Sequence, residues 1–305
     1  MTSRVHLVVV AACVLASVAG CGGSTPTQAD DTQASGLRVA SFDFAESTLL
    51  AELYAQVVEE TGVPVVRLGP IGPREIIAPA MELDRIDLVP EYLGTALQYV
   101  GSTEANPDTS SAWAELAERL ADRGLTALEP SPAEDKNAIV VTNETARREE
   151  LANISDLADV VQEQRFGGPA ECSDRPLCLL GLERVYGLHF AEFVPQRSLA
   201  FTAEALRRGE IDVGLMFSTA SELDDGDLVE LIDDLQMQPA ENVVPVIRID
   251  AVERWGPELV VAIDAVSHRL TTGDLRTLNK RLADGEPVEE VARSWLQARG
   301  LLPSD

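Results

Sequence analysis

Residues 85–95 read Arg-Ile-Asp-Leu-Val-Pro-Glu-Tyr-Leu-Gly-Thr, and this stretch determines how we interpret the rest of the chain. The apolar run from Ile86 to Val89 is typical of a short buried strand. Pro90 has no N–H to donate to a neighbouring strand, so we expect the strand to end there. Glu91 and Tyr92 would then lie beyond its carboxyl end, where open α/β sheets bind ligands. The stretch therefore predicts a ligand-binding loop at the edge of a sheet.

The same pattern occurs a second time downstream. Residues 207–213 read Arg-Arg-Gly-Glu-Ile-Asp-Val, and Phe217 and Ser218 follow the strand that this run predicts. Two such strand ends suggest two lobes that face one cleft. The Ile-Asp joints, Ile86-Asp87 and Ile211-Asp212, are each equally compatible with an ordinary helix-to-strand connection, which occurs in any α/β fold.

The surrounding segments alternate between strand and helix patterns. Apolar runs at 37–41 and 63–66 flank a stretch of helical spacing that ends at Gly62. This order predicts an α/β fold with doubly wound sheets. We expect the chain to cross between the lobes at two segments, and we expect each lobe to have the following bounds: crossings at 138–141 and 243–249, lobe I at 37–137 and 245–305, and lobe II at 138–244.

The chain has 305 residues and a formal net charge of -27. Its length is sufficient for two cores of ordinary domain size. Acidity of this degree favours solubility and repels phosphate backbones and anionic lipid headgroups. We therefore expect no nucleic-acid partner.

The first residues have the pattern of an export signal. Arg4 precedes an apolar run at 7–18 that is short for a membrane span, and Val18-Ala19-Gly20-Cys21 resembles a bacterial lipobox. This pattern predicts a lipoprotein signal peptide at 1–20, a lipid on the sulfur of Cys21, and a flexible polar tether at 21–36. The alternative is an ordinary secretory signal with a cysteine there by chance.

Of the four cysteines, Cys13 would leave with the signal and Cys21 would carry lipid. Cys172 and Cys178 remain, and in an oxidising compartment this pair predicts a disulfide bond. The alternative, a metal site, would need further ligands, and the histidines lie far apart in the sequence, at His6, His189 and His268. We expect neither a metal nor a cofactor.

Several segments together resemble one known family, the substrate-binding proteins of ABC importers for osmoprotectants such as glycine betaine, carnitine and choline. The Pro-Glu-Tyr-x-Gly-Thr motif at 90–95 is the most specific of them. The others are Phe44-Ala45-Glu46 with 52–55, Tyr186-Gly187-Leu188, Gly209-Glu210-Ile211-Asp212 and Pro245-Val246-Ile247-Arg248. The resemblance implies a two-lobed periplasmic-binding-protein fold of type II.

The resemblance also implies roles for single residues. Members of the family hold a quaternary ammonium group in a cage of aromatic rings and hold a ligand carboxylate with arginine, threonine or lysine. By this correspondence Tyr92 and Phe217 would be cage aromatics, and Thr95 and Arg175 would bind the carboxylate. The chain departs from the pattern where it has Phe42 in place of a lysine, and Asn137 and Glu241 in place of two tyrosines. We add Phe44 and Ser218 to the candidate ligand-binding residues.

Each of these assignments has a structural alternative. Tyr92 and Phe217 could be core residues, while Arg175 and Glu241 could be solvated surface charges. Because the aromatic set is thin, we expect classical glycine betaine to bind poorly and an amine or a hydroxyl-rich solute to be an alternative ligand.

Three classes of function remain to be weighed. The first is a lipid-anchored monomer on the extracytoplasmic face of the cell membrane, which captures a small cationic or zwitterionic solute and passes it to an ABC permease with its ATPase. The second is an enzyme, which we do not expect because the chain has no Gly-x-Ser-x-Gly, His-Glu-x-x-His or phosphate-loop motif. The third is a surface lipoprotein that keeps the fold as a sensor or scaffold.

Overall fold

The structure is a computed structural model that describes residues 36–103 and 105–304. The predicted signal peptide and Cys21 lie outside the described residues. From Gly36 onward the chain forms one compact unit. Its strands are Leu37–Ser41 (β1), Val65–Pro70 (β2), Leu88–Tyr92 (β3), Leu125–Ala127 (β4), Asn137–Thr142 (β5), Arg165–Pro169 (β6), Glu192–Gln196 (β7), Val213–Phe217 (β8), Leu228–Glu230 (β9) and Val243–Arg248 (β10).

The helices lie mostly between these strands. The α-helices are Ala45–Glu60 (α1), Arg74–Glu82 (α2), Leu93–Tyr99 (α3), Thr109–Ala121 (α4), Asn143–Arg148 (α5), Leu179–Gly181 (α6), Leu199–Arg207 (α7), Ile249–Trp255 (α8), Pro257–Ser267 (α9), Thr272–Ala283 (α10) and Val288–Ala298 (α11). Short 3-10 helices occupy Ile154–Asp159, Val161–Glu163, Ala170–Asp174 and Ser221–Asp224, and a π-helical turn occupies Leu182–Tyr186. Within the described ranges, no helix combines the length and the apolar composition that crossing a membrane requires.

Two mixed five-stranded sheets form the frame of the two lobes, with the orders β2-β1-β3-β10-β4 and β7-β6-β8-β5-β9. Each sheet contains three parallel strands followed by one that runs antiparallel to them. That antiparallel strand is the one through which the chain enters the sheet from the other lobe. The predicted two-lobed α/β fold is thus confirmed, and the two halves are built in the same way.

One detail of the prediction is wrong. Pro90 does not end the focal strand, because β3 continues through it to Tyr92. Pro90 lies opposite Pro245 of β10 in the antiparallel pair. Neither proline has an N–H, so no hydrogen bond joins the two residues, and the Pro245 carbonyl instead accepts from the Leu128 amide at 2.9 Å. Tyr92 is therefore the last residue of a strand, and its position is fixed by the sheet.

Side chains on both faces of each sheet are buried. In β5, for example, Ile139 and Val141 pack into one apolar cluster of lobe II, while Ala138 and Val140 pack into the other. This alternation follows from the two-residue period of a strand. Lobe I has a single large core, in which residues between Leu37 and Ala133 pack with residues from Ala240 onward. The last segment of the chain thus returns to complete the first lobe.

Two connecting segments, 128–136 and 231–242, join the sheets and run beside each other. Glu134 and Asn242 form an isolated antiparallel bridge. The Asp135 amide donates to the Glu241 carbonyl at 3.1 Å, and the Val243 amide donates to the Ala133 carbonyl at 2.9 Å. The segments predicted as crossings lie just beyond these connections, as strands β5 and β10. The paired connections hold Asp135 and Glu241 at the junction of the lobes.

Candidate functional site

A cavity of about 990 Å³ is lined by residues from both lobes and both connecting segments. Lobe I contributes the start of α1, the end of β3 and one face of α10, and lobe II contributes the end of β8 and the loop around Arg175. The cavity therefore lies where the sequence predicted a cleft. It has aromatic and acidic side chains in its lining.

The aromatic part of the lining consists of Phe44, Tyr92 and Phe217. The ring centroids of Phe44 and Tyr92 are 6.1 Å apart with the planes inclined by 29°, which is a stacked arrangement. Phe217 projects from lobe II, and 44% of it is exposed. Exposed aromatic faces from two lobes can hold a cation between them, because the face of an aromatic ring carries partial negative charge.

Phe42 lies behind this aromatic lining. It is only 4% exposed, and its ring is stacked with that of Phe44 at 6.0 Å between centroids. The Arg74 guanidinium lies 5.0 Å from the Phe42 ring centroid. Neighbouring protein groups thus contact this ring, and Phe42 is not among the residues that line the cavity.

Tyr92 is oriented by a buried carboxylate. Its hydroxyl donates to Glu46 Oε1 at 2.7 Å, and Asn279 Nδ2 donates to Glu46 Oε2 at 2.6 Å. Burial, followed by the charges of Glu46 and Asp135, raises the pKa of the Tyr92 hydroxyl well above its ordinary value. The phenol therefore stays protonated and acts as a donor, which fixes the direction of its ring.

Glu241 accepts hydrogen bonds from both donor groups of Thr95. The Thr95 hydroxyl donates to Glu241 Oε1 at 2.6 Å, and the Thr95 amide donates to Glu241 Oε2 at 3.1 Å. Gly94 provides the space for this contact, since a Cβ there would lie 3.1 Å from Glu241 Oε1 and 2.9 Å from the Ala240 carbonyl oxygen. Burial raises the pKa of Glu241, while the bonds from Thr95 oppose that shift.

Asp135 is a third acid in the lining. Its Oδ1 accepts from the Thr219 hydroxyl at 2.9 Å. Burial raises the pKa of Asp135 well above its ordinary value, and the nearby charges of Glu46 and Glu241 raise it further. Glu46, Asp135 and Glu241 thus interact with one another in the lining, and their ionised carboxylates would favour a positively charged ligand.

The basic groups of the lining are engaged elsewhere or lie at its rim. Arg74 forms a bidentate pair with Glu91, with the shortest distance at 2.7 Å, and Lys136 lies 2.7 Å from Glu134. The Arg175 side chain is 66% exposed, and it lies 3.4 Å from Glu171.

Arg175 is presented by a disulfide-closed turn. Cys172 and Cys178 form the predicted disulfide bond, with their Cα atoms 5.3 Å apart. The Arg175 amide and carbonyl bond to Cys172 and Cys178 respectively, which makes the turn compact. The structure thus places Arg175 at the mouth of the cavity, on a closed loop.

Most of the predicted site residues come together. The structure places seven of them in the lining of the cavity, namely Phe44, Tyr92, Thr95, Asn137, Arg175, Phe217 and Glu241. Two others lie outside it. Phe42 is buried behind Phe44, and Ser218 is 2% exposed because its hydroxyl accepts from the Lys136 amide and donates to the Glu134 carbonyl.

Three further residues of the lining, Glu46, Asp135 and Asn279, were not predicted from the sequence. Glu46 belongs to the Phe-Ala-Glu segment at 44–46 and could have been found from it. Asp135 and Asn279 have no local signal, because they reach the site through a connecting segment and a late helix. In the described part of the chain, no group of three or more histidine, cysteine, aspartate or glutamate side chains is arranged to hold a metal ion.

The sequence resembles known proteins over most of its length. A model of the OpuAC family, described as the substrate-binding domain of the ABC-type glycine betaine transport system, matches residues 35–298. The chain is 27% identical to the glycine-betaine-binding protein of Pseudomonas aeruginosa, over 88% of this chain and 90% of that protein. It is 26% identical to the glycine betaine-binding protein YehZ of Escherichia coli, over 91% and 93% respectively.

A solved structure shows the same fold. The crystal structure of a glycine betaine/carnitine/choline ABC transporter protein superposes with a TM-score of 0.81 at 21% identity, and it covers 87% of this chain and 99% of its own. The family match extends over nearly all of the described residues and includes every part of the cavity. The chain therefore belongs to the family of substrate-binding proteins of ABC-type glycine betaine transport systems.

Proposed function

We propose that this protein is an extracytoplasmic receptor that captures a small, osmoprotectant-like cationic or zwitterionic solute between its two lobes and delivers it to an ABC permease with its ATPase. The observation that carries this proposal is the cavity that both lobes line, with Phe44 and Tyr92 on one side and Phe217 on the other. A solute that contacts both lobes stabilises the closed arrangement, because closure adds contacts that the open form lacks.

The lining suits a quaternary or protonated amine. Each aromatic face is worth on the order of 1 to 2 kcal/mol to a desolvated cation, so three faces supply about 3 to 6 kcal/mol. Micromolar affinity needs about 8 kcal/mol, so the acidic side chains of the lining would have to supply the rest. The names of the relatives support glycine betaine or a similar solute as the first ligand to test. We propose a binding function without catalysis.

We further propose that lobe I comprises residues 37–137 and 245–305 and that lobe II comprises 138–244. The separate sets of buried core residues support this division. The functional candidates within it are the cavity-lining residues Phe44, Tyr92, Thr95, Asn137, Arg175, Phe217 and Glu241.

Anchoring through a lipid on Cys21, and a monomeric state, are also part of the proposal. A lipoprotein anchor would keep the receptor next to its permease. We expect the Cys21→Ala variant to be released from the membrane fraction into the soluble fraction. If the variant stays with the membranes, the anchor is not at Cys21.

A thermal-shift screen tests the binding function. A solute that binds only the native state raises the melting temperature as its concentration rises, whereas a scaffold that has lost its ligand does not respond. We expect a betaine, choline or a related amine to raise the melting temperature. A neutral alcohol that matches choline in shape but lacks its positive charge should leave the melting temperature unchanged. The proposal fails if betaines, choline, carnitine, amines and polyols all leave the melting temperature unchanged at millimolar concentration.

A further inference from the structure

The contact between Glu241 and Thr95 bears on the chemical class of the solute. By family resemblance Thr95 would donate to a carboxylate of the ligand. In this chain the Thr95 hydroxyl and amide both donate to Glu241 instead, at 2.6 and 3.1 Å. The protein's own carboxylate thus occupies the donors that a ligand carboxylate would need.

The contact is built into the fold. Glu241 is 8% exposed, and its backbone carbonyl accepts from the Asp135 amide in the paired connecting segments. Gly94, next to Thr95, leaves the room that the Glu241 carboxylate occupies, because a side chain at this position would come within 3.1 Å of it. Displacing Glu241 would leave a buried carboxylate without its donors, which is costly.

The rest of the cavity would also disfavour a second carboxylate. Glu46 and Asp135 add two more acids to the lining, and both already accept hydrogen bonds from protein donors. A ligand carboxylate placed among three acids meets like charges at short range. A cation placed there meets opposite charges and aromatic faces.

The positive groups in the described part of the cavity lining are paired with protein carboxylates or largely exposed, and of these the Arg74 charge also acts on Glu241. The Arg74 guanidinium is held in a bidentate pair by Glu91, and the Lys136 ammonium is paired with Glu134. Arg175 lies at the rim with two thirds of its side chain exposed. The described lining is therefore asymmetric, with aromatic faces and carboxylates for a positive group, while Arg74 and Lys136 are already paired with protein carboxylates.

From this arrangement we infer that the solute is a cation that carries no carboxylate, of the choline or amino-alcohol type, and that Glu241 takes the place of the carboxylate that a betaine would bring. The inference rests on the proposed function, since it concerns the ligand of the same cavity. It makes Glu241 a specificity-determining residue, which selects the cation and excludes the zwitterion.

Choline and glycine betaine form a matched pair for the test, because they share the trimethylammonium group and differ only in hydroxymethyl against carboxylate. We would titrate each solute into the purified wild-type protein by calorimetry. We expect choline to bind at least tenfold more tightly than glycine betaine.

Glu241→Ala should narrow or reverse this preference, because it removes one negative charge and frees both donors of Thr95 for the betaine carboxylate. Glu241→Gln keeps the shape and an acceptor for Thr95, so it should weaken choline binding without the same gain for betaine. Glu144→Ala is the control, since Glu144 is an exposed acid on α5 that does not line the cavity. It should leave the ratio of the two affinities unchanged.

The possible outcomes separate the inference from the proposed function. If the wild-type protein binds glycine betaine as tightly as choline, or more tightly, the inference is overturned while the receptor function stands. Loss of that betaine binding in Arg175→Ala would then assign the carboxylate to the rim. If neither solute binds and no other solute stabilises the protein, the proposed function itself is overturned.

Discussion

Asp135 lines the binding cavity at a position where its negative charge lowers the stability of the fold. It lies in the cavity beside Glu46 and Glu241, and the charge of its carboxylate also reaches the Tyr92 hydroxyl. Its side-chain donor is Thr219. Burial, with the two neighbouring glutamates, raises the pKa of Asp135 well above the ordinary carboxyl value. A bound cation would stabilise the ionised carboxylates by its opposite charge, and this interaction would favour binding of the solute.

This arrangement predicts that Asp135→Asn stabilises the protein without ligand. A carboxyl whose pKa is raised in the folded state binds more protons there than in the unfolded chain, so its ionisation lowers stability as the pH rises from the ordinary carboxyl range through the raised value. Removing the charge should therefore increase the free energy of unfolding at pH 7 by on the order of 1 to 2 kcal/mol. The difference from wild type should shrink towards pH 4.

Urea denaturation of both proteins across this pH range measures the effect. Asp274→Asn is a control of opposite sign. Burial would raise the pKa of Asp274, but the hydrogen bonds from Thr271, Trp295 and Arg299 prevail and lower it. That variant should lose stability at pH 7. A loss of stability in Asp135→Asn as well would show that its charge is compensated, contrary to this account.

The sequence predicted some of these residues and could not predict how they pair. Tyr92 and Phe217 follow recognisable strand patterns, so both were found. The contact of Thr95 with Glu241 joins residues 146 positions apart, and no local pattern reports it. Phe42 was predicted at the ligand, but Arg74 and Phe44 contact its ring.

Among the elements of the fold, the joints Ile86-Asp87 and Ile211-Asp212 form the same pattern of hydrogen bonds. Asp87 accepts from the Arg38 amide at 2.8 Å and from its guanidinium at 2.6 and 2.9 Å, which ties the start of β3 to β1. Asp212 accepts from the Arg165 amide at 2.9 Å and from its guanidinium at 3.0 and 3.3 Å, which ties β8 to β6. Each joint therefore sets the position of a strand whose far end lines the cavity.

The two joints differ in burial, and this difference predicts unequal costs. The side chains of Arg38 and Asp87 are 14% and 1% exposed, whereas those of Arg165 and Asp212 are 36% and 33% exposed. Asp87→Ala should cost about 2 to 4 kcal/mol of unfolding free energy, because the Arg38 amide loses its acceptor and the Arg38 guanidinium keeps, among the described residues, only Asp84 as a carboxylate partner at hydrogen-bond distance. Asp212→Ala should cost about 1 kcal/mol, as exposed pairs do.

Urea denaturation of the two variants, monitored by circular dichroism, gives both values, and each variant is the control for the other. Equal losses would mean that burial does not govern the strength of these joints. The sequence could predict the joints but not their difference, since burial depends on Asp84 and Arg248, which enclose Asp87 in the folded chain. It also misplaced the end of β3, because the strand that pairs with Pro90 comes from more than 150 positions away.

At the scale of the whole molecule, the order of strands and helices was sufficient to predict two lobes, because alternating patterns allow few topologies. The cavity then forms where the two connecting segments, 128–136 and 231–242, run between the sheets and pair with each other at Glu134 and Asn242. Both connections are short, and each carries an acid into the lining. A solute bound there would contact groups that move with either lobe.

The central claim is that one solute is held by both lobes at once. The most direct test is calorimetry with whichever of choline and glycine betaine binds the wild-type protein more tightly, applied to Tyr92→Ala in lobe I and Phe217→Ala in lobe II. We predict that each substitution weakens binding by about five- to thirtyfold, because each removes an aromatic face worth on the order of 1 to 2 kcal/mol to the cation. Phe201→Ala is the control, since Phe201 is a half-exposed aromatic of lobe II that does not line the cavity. Wild-type affinity in Phe217→Ala would contradict the claim.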